Sequence, residues 1–517
     1  MPRDAQPDSQ VPTIAHSRDL LDAALGWLER YEQRVESLPV LSRAAPGDLL
    51  RALPDLPPQT PDLTPDALIH DLDSLILPGL THWQHPAFFA YFPANASPPA
   101  LLGDLLASGL GVQGMLWVTS PACTELETRV LDWLRGMIGL PESFDSRHGP
   151  GGGVIQGTAS EAVLVAMVAA RDRARRHARA AGTPHPEFTV YASTQAHSSV
   201  IKAAMIAGIA DAPDDHRHIR LIDTDRTLAM RPDLLARAVA EDMDRGLAPC
   251  FVAATLGTTA TGASDPLAPI ARAIADLPAG SPPVWLHADA AHLGSAFVCP
   301  EFRAPLAGVE RADSLCFNPH KWLLTTFDCS CFFLKDRTPV IDALSVTPDY
   351  LRNPASDAGS VIDYRDWQIP LGRRFRSLKL WLVLRAHGVE GLRAYIREHA
   401  RLTDLFTDLV RADPRFEIVA PPSPGLVCFR IRGTDAANRR LLADLNATGR
   451  AYLTHASLPD PLAPPDHRLF LRCAIGGVRT AEPHVRATWS LIQTLVHAPH
   501  SPPTPPHPPT SPPPHAR

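Results

Sequence analysis

No apolar run in this 517-residue chain is long enough to span a bilayer, and residues 1–10 are polar where a secretory leader would carry an apolar core. The expectation is a cytoplasmic protein. An excess of positive charge is also missing, since 49 Lys and Arg stand against 55 Asp and Glu for a net charge of −6. That leaves no basic footprint for nucleic acid. Cysteine is sparse, with eight residues, and Cys316, Cys331 and Cys428 sit inside apolar runs. They read as reduced core residues rather than a disulfide frame. Cys329 and Cys331 are too close together, and too far from histidine-rich partners, for a zinc site, so no metal is expected. The glycine-rich stretch from Gly151 to Gly157 lacks the Gly-Lys-Ser/Thr of a Walker loop. Against these absences, 45% hydrophobic and 20% charged residues are ordinary for an enzyme, and the length allows two or three domains around a large core.

Two stretches organise what is present. Residues 314–317 form an apolar run stopped by Asn318-Pro319, and immediately beyond it Lys321 stands between His320 and Trp322. About thirty residues upstream, residues 284–286 lead into Asp289, followed by the small residues Ala290 and Ala291, which permit close approach. Both read as ends of buried strands, where α/β proteins place their chemistry. One amine and one carboxylate in such settings match pyridoxal phosphate chemistry, in which a lysine condenses with the cofactor aldehyde. A carboxylate roughly 4 Å from the pyridine nitrogen, at an effective dielectric of about 20, contributes on the order of 4 kcal/mol, or about three pK units, and keeps the ring protonated. Alone, Asp289 reads as a loop cap and Lys321 as a surface lysine with its stem on apolar surface.

Further stretches tip that balance. The glycine-rich turn runs through Thr158-Ala159-Ser160-Glu161 into an alanine-rich helical segment, and Thr158 and Glu161 have capping-box spacing. Free N–H groups and the helix dipole there would hold a phosphate beside Ser160. His197 follows the strand-like residues 188–192 and is placed to lie flat on a ring. Thr255, Thr258 and Thr259 offer hydroxyls after the apolar residues 250–253.

These residues resemble the group II pyridoxal-phosphate-dependent decarboxylases, and most closely the aromatic-L-amino-acid decarboxylases. The resemblance covers residues 19–494 and includes His85-Pro-Ala-Phe-Phe-Ala-Tyr-Phe-Pro93, Thr119-Ser-Pro-Ala-Cys-Thr-Glu-Leu-Glu127, Asn318-Pro-His-Lys-Trp322 and Asp363-Tyr-Arg-Asp-Trp-Gln-Ile-Pro-Leu-Gly-Arg-Arg-Phe-Arg376. It implies that Lys321 bonds to the cofactor and that Asp289 faces its pyridine nitrogen. Ala159, Ser160 and Asn318 would hold the phosphate with Thr158 and His320 close by, Ala291 would lie against the cofactor, and Thr259 would reach its phenolic oxygen. His197 would stack on the ring and help hold the substrate carboxylate. Tyr350, in the lid-like residues 346–361, would return a proton to Cα. The substrate wall would comprise Trp83, Tyr91, Phe92, Pro93 and Ala94, with Met115 from a second subunit. Ala94, Met115 and His292 stand where the animal enzymes carry threonine, phenylalanine and tyrosine. Gly372 occupies a position at which glycine accompanies indole substrates in a related plant group.

For the fold, alternating strand-like and helical segments argue an α/β protein with a mainly parallel sheet, the strands expected over residues 188–192, 218–222, 250–255, 284–289, 314–317 and 331–334. The resemblance implies the fold-type I aminotransferase architecture in a homodimer with shared active sites. The expected divisions are an N-terminal helical arm over 1–97, a cofactor-binding domain over 98–378, a small α+β domain over 379–498 and a disordered proline-rich tail over 499–517. Helical spacing over residues 20–37 and a Thr64-Pro65 start mark two helices of the arm, which read alternatively as an independent domain. The expected function is decarboxylation of tryptophan, tyrosine or dihydroxyphenylalanine to the amine. Alternatives are a decarboxylase of glutamate, aspartate or histidine, an aromatic aldehyde synthase, and an inactive scaffold recruiting partners through its tail.

Overall fold

The computed structural model describes residues 14–182, 186–278, 280–346, 348–459 and 467–497. The tail expected over 499–517 lies outside them. The apolar runs pair into one sheet of seven strands: β1 (Gly152–Gln156), β2 (Phe188–Ser193), β3 (Ile219–Ile222), β4 (Ala248–Thr255), β5 (Trp285–Asp289), β6 (Ser314–Phe317) and β7 (Ser330–Leu334), in the order β1-β7-β6-β5-β4-β2-β3. Strands β3, β2, β4, β5 and β6 run parallel; β7 runs against them, and the edge strand β1, antiparallel to β7, returns to their direction. This is an α/β fold with a mainly parallel sheet.

The strands read as unbroken apolar runs because both faces are covered, yet the period of two decides which core each residue joins. Phe251, Trp285, Cys316 and Phe332 pack with the alanine-rich stripe of the helix Ala159–Ala180. Their neighbours Val252, Leu286, Leu315 and Phe333 face Val130, Leu131 and Leu134 of the helix Pro121–Ile138 and Leu235 of the helix Pro232–Asp244.

Strand β1 corrects the expectation of a plain turn at Gly151–Gly157. Its glycines serve close packing: a Cβ at Gly153 would meet Phe333 at 2.9 Å, and one at Gly151 would meet the carbonyl oxygen of Ser143 at 2.2 Å.

A second, antiparallel sheet has the order β10-β11-β9-β8, from β8 (Phe416–Ile418), β9 (Leu426–Ile431), β10 (Thr454–Pro459) and β11 (His467–Ala474). The helix Arg376–Ala412 joins the two parts and is broken at Gly388, where φ is 62° and ψ 175°. The expected division at 378/379 therefore falls inside its first turn. Residues 87–90, expected in the arm, belong to the core of the small sheet: Phe89 N donates to Tyr452 O at 2.9 Å, and Ala474 N donates to Phe89 O at 2.9 Å.

The helix Arg18–Arg34 docks on its own chain through buried Trp27, whose indole donates to Asp73 at 3.1 Å, and through the Glu32–Arg479 ion pair at 2.7 Å. Leu21, Leu25 and Leu28 on the same helix stay exposed. All eight cysteines are free and buried. Among the described residues no helix is long and apolar enough to cross a membrane, and no cluster of His, Cys, Asp or Glu is arranged to hold a metal ion.

Candidate active site

Parallel pairing brings the carboxyl ends of the strands to one rim, with Thr255 of β4 opposite Asp289 of β5 and Asp289 opposite Cys316 of β6. After β6 the chain passes Asn318 into the short helix Pro319–Trp322, which carries His320 and Lys321. His197 follows β2. Strand β1, antiparallel to β7 and so running in the same direction as the main strands, ends at Gln156 on the same rim and delivers Thr158 and the start of the helix Ala159–Ala180.

Together they enclose a cavity of about 220 Å³ lined by Thr158, Ala159, Ser160, His197, Thr259, Asp289, Ala291, Asn318, His320 and Lys321. Every residue expected to touch the cofactor is on that wall. A larger hollow of about 500 Å³, between residues 36–43 and the helix Glu482–His497, contains none of them.

At one end, Thr158 caps the helix, its hydroxyl accepting from Glu161 N at 3.4 Å. Glu161 reaches back to Gly157 N at 3.0 Å, one residue earlier than a regular capping box. The first N–H groups of this helix have no carbonyl behind them and are available to an anion. Buried Asn318 Oδ1 and Thr255 Oγ1 have no partner among the described residues. His320 accepts from Cys329 N at Nδ1, 2.9 Å, so its proton sits on Nε2, and burial pushes its pKa down to about 4. It is a neutral donor.

At the other end, Asp289 Oδ1 accepts from Ala291 N at 3.0 Å. Burial lowers the pKa of Lys321, and the nearby Asp289 carboxylate partly restores it. His197 Nδ1 accepts from Ser199 N at 3.1 Å, with Ser199 Oγ also at 2.9 Å, which leaves its proton on Nε2. Burial lowers the His197 pKa too, so the ring is a neutral donor.

The expected substrate wall is only partly assembled. Phe92 lines the cavity, with Lys321 Nζ 5.7 Å from its ring centroid. Pro93 is buried beside it, and Ala94 is half-buried with its carbonyl accepting from Gln84 at 2.5 Å. Trp83 and Tyr91 stack on each other at 5.8 Å and are 39% and 50% exposed. Met115 lies off the cavity wall, and Gly372 lines a separate hollow with Gln113. Tyr350 is 79% exposed on the turn Asp349–Leu351 and is not on the wall either.

Sequence reasoning missed Ser199, Gly257 and Phe327, which complete the lining, and gave Thr255 and His292 no place in it. His292 lies between Phe92 at 3.7 Å and Trp322 at 4.8 Å, both nearly parallel to it. Its two nitrogens are buried without a partner among the described residues, and burial next to Lys321 and Arg472 holds its pKa well below the imidazole range.

An amine and a carboxylate on one cavity, opposite an open helix N-terminus, fit a phosphorylated pyridine aldehyde. Residues 46–432 match the pyridoxal-dependent decarboxylase conserved domain, and the chain belongs to that family. It is a pyridoxal-phosphate-dependent amino-acid decarboxylase. Within the family the chain is 47% identical to a phenylacetaldehyde synthase of Arabidopsis thaliana over 474 residues, 90% of this chain and 93% of that one. It is 45% identical to the aromatic-L-amino-acid decarboxylase of Bos taurus over 485 residues, 92% of this chain and 94% of the relative. The crystal structure of Oryza sativa TDC with PLP and tryptamine superposes with a TM-score of 0.88 at 42% identity, covering 94% of this chain and 99% of that one.

Proposed function

We propose that this decarboxylase acts on aromatic L-amino acids, among tryptophan, tyrosine and dihydroxyphenylalanine, and releases the amine and carbon dioxide from a homodimer. The observation that carries the reading is the single cavity shared by Lys321, Asp289, His197 and Phe92. Bound pyridoxal phosphate supplies the electron sink for the bond that breaks.

The protein's own groups do the rest. Lys321, its pKa lowered by burial, offers an amine to the cofactor aldehyde. Asp289 would face the pyridine nitrogen and hold its proton. The helix start at Ala159 and Ser160, with Asn318 and His320, would hold the phosphate with Thr158 close by, and Thr259 would meet the phenolic oxygen. His197 would donate from Nε2 to the substrate carboxylate, Ala291 would back the cofactor, and Tyr350 would hold the proton that Cα receives. Phe92, Pro93, Ala94, Trp83 and Tyr91 form the aromatic side of the substrate pocket. With both Tyr350 and His197 present, the product is the amine rather than the aldehyde.

A substrate with an acidic side chain would need a free cation beside Phe92. Arg472 is there, 5.3 Å from the ring, but it donates to Ala260 O, Thr454 Oγ1 and Tyr91 O. Its donors are committed to the fold, which favours an apolar ring. The homodimer is supported by the helix Pro98–Leu110, which leaves Leu101, Leu102, Leu105, Leu106 and Leu110 exposed on one chain. Met115, Gly372 and Tyr350, off their own cavity, are then free to serve a second one.

The test is incubation with each of the three amino acids, with amine, aldehyde and carbon dioxide quantified. Amine and carbon dioxide in equal amounts are expected from at least one. No turnover of any of them defeats the substrate assignment, and aldehyde as the main product defeats the amine assignment.

A further inference from the structure

Behind Asp289, on the side away from the cavity, lie buried polar groups that the reaction does not use. The Trp285 indole approaches Ser314 Oγ at 2.8 Å, and Ser314 Oγ is 2.8 Å from His287 Nδ1. His287 Nε2 is 3.5 Å from Cys316 Sγ, and Cys316 Sγ is 3.7 Å from Asp289 Oδ1. These residues come from the neighbouring strands β5 and β6, and Asp289 and Cys316 are register partners.

The protons can be assigned from both ends. An indole N–H only donates, so Ser314 Oγ accepts from Trp285. At the other end a carboxylate only accepts, so the Cys316 S–H is directed at Asp289. With that hydrogen used, the contact between His287 and Cys316 requires Nε2–H to donate to sulfur. A neutral His287 then has a bare Nδ1, which accepts the Ser314 hydroxyl proton. Burial pushes the His287 pKa down to about 4 and raises that of the Cys316 thiol, so both groups keep the protonation state this chain needs. Each donor is used once and each acceptor is met.

We propose that Trp285, Ser314, His287 and Cys316 form a one-way hydrogen-bond relay that positions Asp289 for the cofactor, with Cys316 as its terminal donor. The thiol and Ala291 N both bond to Oδ1. Among the described residues no donor is paired with Oδ2, which is left for the pyridine nitrogen. The proposal rests on the role given to Asp289 above. A thiol is a weak donor, so the relay fixes the carboxylate's orientation without competing for its charge.

The experiment follows how fast the purified holoenzyme loses pyridoxal phosphate after dilution, read from the fall in its visible absorbance. Cys316→Ala and Cys316→Val, which remove the donor with and without leaving space, are expected to lose cofactor about three- to tenfold faster, the scale of one buried hydrogen bond. Cys316→Ser, which restores an O–H, is expected to stay within about twofold of the parent. Should the cysteine variants fail to fold, Ser314→Ala breaks the chain at its far end and is expected to release cofactor about two- to threefold faster. The relay is wrong if Ala and Val release at the parental rate, if Ser releases as fast as Ala, or if Ser314→Ala, standing in for them, has no effect. Asp289→Asn separates the two layers. If it keeps cofactor as long as the parent, the role of Asp289 falls and the relay with it. If Asp289→Asn releases quickly while the Cys316 variants do not, the relay alone falls.

Discussion

The carboxamide of Asn95 donates to the backbone carbonyl of Lys321 at 2.9 Å across 226 residues of sequence. Its two N–H bonds are shared with Gly476 O and Tyr395 Oη, each at 3.0 Å, and its oxygen accepts from Val478 N at 2.8 Å. One buried side chain therefore ties the lysine's helical turn to the small domain. Asn95→Ala strands several buried partners and is expected to cost about 2–4 kcal/mol. Chemical denaturation measures it, and a loss below about 1 kcal/mol would show that the bonds are replaced by water.

Acid should destabilise the fold well before its carboxylates are neutralised. Burial pushes His287, His320 and His399 down to about 4 from the ordinary imidazole value of 6.5. Above about pH 6.5 neither folded nor unfolded chain protonates them; between about 6.5 and 4 the unfolded chain takes up protons that the folded chain refuses. Stability is then lost as pH falls, by about 1 kcal/mol per pH unit for each histidine. Buried Asp265, pushed up to about 6, acts in the opposite direction below that pH and offsets one of them. Denaturation midpoints at about pH 7.5, 6 and 5 should fall in that order. A flat series would mean that these imidazoles titrate normally.

Lys321→Ala is expected to retain pyridoxal phosphate without a covalent bond, through Asp289 and the helix start, while turnover drops roughly a thousandfold or more. Borohydride reduction followed by mass analysis should leave cofactor attached to the parent chain and none to the variant. Wild-type turnover in the variant would remove Lys321 from the chemistry.

Tyr350→Phe is expected to keep carbon dioxide release while amine formation slows and aldehyde and peroxide accumulate. Because Tyr350 is exposed and off its own cavity, hybrid dimers decide which cavity it serves. A Lys321→Ala subunit paired with a Tyr350→Phe subunit regains amine formation only if the tyrosine acts across the interface. If hybrids form no more amine than the parent variants mixed without exchange, the lid acts within its own subunit.

Strands β2, β4, β5, β6 and β7 were readable because each apolar run ends in residues that cannot continue it, as Asn318-Pro319 does after β6. The cofactor residues were readable for the same reason, since parallel strands deliver their ends to one rim. β1 was not, because its two leading glycines carry no side-chain period, and its pairing, Gly153 opposite Phe333, is known only from the folded sheet. β10 escaped because Leu458 is its one buried residue, and β11 lends it the register. His292 was visible as an unusual residue, but its seat between Phe92 and Trp322 depends on contacts 200 residues apart in one direction and 30 in the other, which no local pattern records. Gly372, Met115 and Tyr350 were named from motifs, and a single chain leaves them beside the cavity rather than on it.

The burial of every thiol has a practical corollary. A water-soluble alkylating reagent meets no cysteine while the molecule stays closed, so labelling becomes a stopwatch for opening. Cys316 and Cys331, inside the large sheet, report its rupture, whereas Cys428 and Cys473 report the small one. Identifying which thiols are modified first, peptide by peptide, would reveal whether the two sheets come apart together or in turn.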